Sequence, residues 1–90
     1  MITVEPLSQN EWLVTVEAHT TTQHRVRVMP DDLRRFGGED ASAERLLEAS
    51  FRFLLERESN TSILSSFDLP VIGRYFPEYG KEIARYLALG

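Results

Sequence analysis

The chain has no cysteine, which excludes a disulfide framework and thiolate zinc sites and fits a reducing compartment. Basic charge is in short supply: 14 Asp and Glu stand against 10 Lys and Arg, for a net charge of −4, and Lys81 is the only lysine. That balance disfavours nucleic acid as a partner, because phosphate binding draws most of its affinity from clustered Lys and Arg. No stretch approaches the ~18 apolar residues of a membrane span, and the opening MITVEPLSQNEW has neither the basic region nor the apolar run of a signal peptide. The expected location is therefore cytoplasmic, with no membrane contact. Glycine-rich phosphate loops are also missing, since Gly37-Gly38 is not followed by G-x-x-G or G-K-[ST], and no G-x-S-x-G elbow occurs.

What is present is the composition of an ordinary globular domain, 42% hydrophobic and 27% charged over 90 residues. A chain this short buries only about 60–65% of its unfolded surface, so nearly every large apolar side chain is needed for the core of one domain spanning 1–90. Trp12, Val14 and Val16 alternate with Leu13, Thr15 and Glu17, and Val26 and Val28 alternate with Arg25, Arg27 and Met29. A period of two marks half-buried strands. Ile2 and Val4 predict a further short strand before a turn at 6–10. Pairing apolar with apolar gives an expected register with a loop at 20–22, Val16 opposite Val26, Val14 opposite Val28 and Glu17 opposite Arg25.

Beyond the strands, Met29 to Gly38 predicts one or two helical turns, acidic near the start and stopped by Gly-Gly, with Leu33 and Phe36 pinned to the core. The main helix is expected over 42–58, capped by Asp40 or Ser42. Ala43, Leu47, Ser50 and Leu54 run along the centre of its inner face, flanked by Leu46 and Phe53 on one side and Phe51 and Leu55 on the other. That arc is wider than packing on a sheet requires, so the C-terminal segment is expected to cover part of it. After the break at Ser59-Asn60-Thr61-Ser62 the pattern predicts a short helix through Phe67. A turn capped by Asp68, with Pro70 inside it, comes next, and a last helix begins at Pro77, with Tyr79, Ile83, Tyr86 and Leu87 on one stripe.

Few residues point to chemistry. His19 and His24 flank the hairpin tip, but in the expected register they project to opposite faces and read as exposed turn residues rather than metal ligands. The serines at 59–66 have no histidine near them to act as base. The pairs Asp31/Asp32, Glu39/Asp40 and Glu56/Glu58 suit helix ends and solvated faces better than a dry cleft. The reading is of a protein that is not an enzyme and uses no cofactor or metal. Ile63-Leu64-x-x-Phe67-Asp68-Leu69 followed by Ile72-Gly73-Arg74-Tyr75-Phe76 has the residue types of a helix-turn-helix. Its spacing is too short after Leu69, Asp68 replaces the turn glycine, and Arg74 alone is left for a DNA contact.

The same residues, with Arg74-Tyr75-Phe76-Pro77-Glu78-Tyr79, look like those of small bacterial proteins of unassigned function that share an ILxxFDLxxIxRYFPEY-like C-terminal segment. The resemblance covers roughly residues 43–83 and implies a stand-alone bacterial domain, with no activity, cofactor or partner attached. The fold expected is α+β: a three-stranded antiparallel β-meander followed by a long helix and two or three short C-terminal helices. The function expected is that of a non-catalytic protein-interaction or regulatory module, because residues 67–86 hold more aromatic surface than a small core absorbs. Its candidate partner-binding surface is Arg74, Tyr75, Tyr79 and Tyr86. A tyrosine hydroxyl makes exposure tolerable, which places Tyr75 and Tyr79 at the rim and Phe67 and Phe76 inside. The alternative is a DNA-binding regulator using the degenerate helix-turn-helix-like segment 62–76.

Overall fold

Alternation of apolar and polar residues decides the first third of the chain. In the computed structural model, which describes residues 1–39 and 41–89, Ile2–Pro6 (β1), Glu11–Glu17 (β2) and Thr21–Arg27 (β3) form an antiparallel meander. The β2–β3 register differs from the one expected: Val16 faces Thr22, Val14 faces His24, Trp12 faces Val26, and Arg25 lies opposite Leu13 rather than Glu17. The slip is four positions along β3. An even slip leaves every side chain on its original face, so Val14, Val16, Val26 and Val28 still reach the core, each no more than 5% exposed. Val28 lies past the strand end, where its N–H donates to the Asn10 carbonyl at 2.8 Å.

A fourth strand, Ser66–Asp68 (β4), pairs parallel with β3 and ends a sheet of order β1-β2-β3-β4. This corrects the short helix expected through Phe67. Residues Asn60–Ser62 make a 3-10 turn, after which the backbone of β3 captures the chain. The Arg25 N–H donates to the Ser65 carbonyl at 2.8 Å, and the Leu69 N–H to the Arg27 carbonyl at 2.9 Å. Phe67 is thereby set beside Val26 on the inner face.

The helical half begins with Pro30–Asp32 (α1), whose Asp32 carboxylate accepts from the Met29 N–H at 2.9 Å, and runs into a π-helical turn, Leu33–Gly37. Gly38, at φ 77°, ends that turn in the left-handed region that glycine tolerates. The long helix is Ala43–Leu55 (α2), shorter than expected, with the Ser42 hydroxyl accepting from the Arg45 N–H at 3.1 Å as its cap. Asp40, the other candidate cap, lies outside the described residues. Val71–Tyr75 (α3) and Tyr79–Leu89 (α4) complete the chain.

The wide apolar arc of α2 is covered on two sides. Toward the sheet, Phe51 meets His24 and Phe67 at ring-centroid distances of 5.3 and 6.2 Å. Toward the C-terminal segments, Phe53 is packed edge-on by Phe76, Tyr79 and Tyr86 at 5.3–6.0 Å. The radius of gyration, 11.8 Å, is close to the ~12 Å expected of one packed domain of this length. Among the described residues no helix is long and apolar enough to cross a membrane.

Candidate functional site

A shallow apolar groove opens where the end of α2, the approach to β4 and the short helix α3 meet. Leu54 and Glu58 form one wall, and Ile63, Leu64 and Phe67 the second. Val71, Ile72, Tyr75 and Phe76 close it from the α3 side. Its enclosed volume is about 30 Å³, space for one water-sized group and far below the ~300 Å³ at which small-molecule pockets begin. Between the sheet and α2 the side chains of Val14, Val26, Leu47 and Phe51 are all 0% exposed.

The wall at 63–65 is held in place by a buried polar network. His24 Nδ1 lies 2.7 Å from the Leu64 carbonyl and Nε2 lies 2.9 Å from Thr22 Oγ1. Asn60 Nδ2 donates to both Thr22 Oγ1 and the Thr20 carbonyl. His24 is only 2% exposed, which corrects its reading as a solvated turn residue; His19 is the one left in solvent. The network ties the β2–β3 hairpin to the segment entering β4. Among the described residues no three His, Asp or Glu side chains gather where they could hold a metal ion.

The residues named from sequence separate into two groups. Arg74 is exposed and Tyr75 is 66% exposed at the lip of the groove. Tyr79 and Tyr86 are 0% and 3% exposed, so neither stands at a rim. Tyr79 is drawn inward because its hydroxyl finds Ser50 Oγ at 2.7 Å, in the middle of the apolar face of α2. Burial pushes the Tyr79 phenol well above its ordinary pKa, the Ser50 hydrogen bond offsetting part of that rise. Tyr86 donates to Glu56 at 2.6 Å, while Phe67 and Phe76 are half-buried rather than enclosed.

Two groove residues were not singled out from sequence. Leu64 is 45% exposed and lines the groove with Tyr75, and its place outside the core follows from the strand at β4, which helical spacing hides. Glu58 was read with Glu56 as part of a solvated face. It is instead half-buried against the groove, and that desolvation raises its carboxyl pKa above the ordinary glutamate value. The neighbouring acid Glu78 behaves oppositely: its hydrogen bond from the Arg57 guanidinium, at 2.9 Å, lowers its pKa. Arg57 also stacks over the Phe53 ring at 3.6 Å, so this cluster locks α2 to α4. Compared with protein-family models, curated proteins and solved structures, the chain matches none.

Proposed function

We propose that the protein is a non-catalytic interaction module that docks a segment of a partner protein in the groove between the end of α2, β4 and α3. The observation that carries this reading is the pair of exposed apolar side chains, Leu64 and Tyr75, that line an apolar furrow too small for a metabolite. Aromatic and aliphatic anchors around a furrow give a partner large contact area at low entropic cost. Arg74 flanks the site and adds a charge at its rim. Within this proposal Tyr79 and Tyr86 support the groove from inside the fold and make no contact with the partner. The likeness to small bacterial proteins belongs to the same proposal and adds no activity to it.

The test is selection of a displayed random-peptide library on the immobilised protein, with a Leu64→Ser/Tyr75→Ala double variant as counter-target. Enrichment of peptides that bind the wild type and lose most of their affinity for the variant is expected. Failure to enrich any peptide, or enrichment indifferent to the variant, overturns the reading. Segment 62–76 carries one helix of five residues after a strand, so the two-helix arrangement behind the DNA alternative is not formed. A salt-titrated mobility shift on mixed duplex DNA checks that alternative, and tight, salt-sensitive binding would replace the protein-partner reading.

A further inference from the structure

We propose that the docked segment is extended, adds a fifth strand along the open edge of β4, places an apolar side chain in the groove and sets a basic side chain beside Glu58. The inference rests on the groove-docking reading and specifies the partner's chemistry.

Three observations converge on it. First, β4 is the terminal strand of the sheet, and its bonds to β3 leave from residues 65 and 69, through the Ser65 carbonyl and the Leu69 N–H. A parallel ladder uses alternate residues, so the N–H and C=O groups of Ser66 and Asp68 point away from β3. Both residues are exposed, and an unpaired edge of this kind is a template for another strand. Neither of the usual edge guards, a proline or a lysine, stands on β4. Its single charge, Asp68, lies 3.8 Å from Arg27 across the ladder.

Second, the inner side of that edge is the groove itself. Phe67, between Ser66 and Asp68, points to the inner face and lines the groove with Leu64 and Tyr75. Side chains alternate along a strand, so a residue of the added strand level with Phe67 meets an apolar surface while its neighbours face solvent. Third, Glu58 is half-buried on the groove wall and forms no ion pair among the described residues. A partly desolvated carboxylate without a counter-charge favours a cation from the partner. By contrast Glu56, Glu78 and Glu82 are each engaged, Glu78 and Glu82 by Arg57 and Glu56 by Tyr86.

Peptides selected as above provide the probes. On binding, the Ser66 and Asp68 amides are expected to become protected from hydrogen exchange. N-methylation of a peptide at alternate backbone positions should weaken it, whereas methylation at the intervening ones should not. Ser66→Pro removes an outward N–H without touching the β3 ladder and should weaken binding about fivefold to tenfold. If that variant does not fold, the N-methyl series still decides. Glu58→Gln should lower affinity about twofold to fivefold for peptides with Lys or Arg and leave those without it unchanged.

Peptides that bind with apolar residues at i, i+3 and i+4 and leave the Ser66 and Asp68 amides unprotected would overturn the strand mode while leaving the groove reading intact. Absence of any selected peptide overturns both. Protection of these amides in the peptide-free protein, at concentrations where it sediments as a dimer, would show the edge taken by a second copy and overturn the partner assignment.

Discussion

Glu58 sits on the wall of the groove with its carboxyl partly desolvated and in no ion pair among the described residues. A carboxyl whose folded-state pKa is raised stabilises the fold fully below its unfolded value and loses that contribution as pH rises through the folded value. At neutral pH the native protein therefore carries an unfavourable charge at this position. Glu58→Gln is expected to raise the melting temperature at neutral pH and to leave it unchanged below the ordinary glutamate pKa. Thermal melts at the two pH values check this; an equal shift at both would mean that packing rather than charge is responsible. His24 is the opposite case, a polar group that the fold has satisfied. With its proton on Nδ1 it donates to the Leu64 carbonyl and leaves Nε2 to accept from the Thr22 hydroxyl, whose oxygen accepts in turn from Asn60. Its partner Leu64, and Asn60 behind Thr22, lie far along the chain, so no local pattern announces that this histidine is buried.

At the scale of elements, α2 is the organiser, and the most specific contact it makes is polar. Ser50 donates to the Leu46 carbonyl at 2.7 Å and accepts from the Tyr79 hydroxyl at 2.7 Å, with both residues 0% exposed. Either truncation leaves the other hydroxyl in an apolar setting. Tyr79→Phe and Ser50→Ala should each cost about 1–3 kcal/mol, with a coupling of about 1 kcal/mol in the double-mutant cycle. Denaturant melts of the four proteins measure it, and a coupling near zero would mean that the hydroxyls act independently. The arc of α2 and the stripe of α4 were legible in the sequence because 3.6-residue periodicity is a local property. The serine at the centre of that arc was legible too, but its partner was not, because the Leu46 carbonyl one turn back already satisfies its proton and only the packed α4 brings Tyr79 to it. The β2–β3 register was not legible from apolar matching, because a buried histidine opposite Val14 is acceptable only once Thr22 and Leu64 are in place. Likewise Ile63, Leu64 and Phe67 fit a helix by spacing, while a strand of three residues is held mainly by the backbone of β3. The groove inherits that illegibility: Tyr75 at its lip could be named, but Leu64 and Glu58 depend on where β4 runs.

For the molecule as a whole, the consequence of placing α2 between sheet and C-terminal helix is that neither outer layer can leave alone. Phe51 is committed to His24 and Phe67, and Phe53 to Phe76, Tyr79 and Tyr86. Loss of α4 would strip Tyr79 and Tyr86 from Phe53, which is 0% exposed in the fold, and carry the buried Tyr79, Ile83 and Tyr86 out of the core, at about 1.5–3 kcal/mol for each side chain. That sum is a large fraction of the ~5–15 kcal/mol total stability of a domain. Separation of α4 therefore unfolds the rest, and the chain is expected to behave as two states. Its aromatics supply independent probes of the two layers. Trp12, the only tryptophan, is half-buried against the core from β2, whereas Tyr79 and Tyr86 report the α2–α4 interface through their near-ultraviolet dichroism. Midpoints in urea from Trp12 fluorescence and from the tyrosine signal should coincide, and both should match the far-ultraviolet transition. A tyrosine signal lost at lower urea than the tryptophan signal would show α4 detaching first, and α2 would then have to retain the sheet with half of its apolar arc in water.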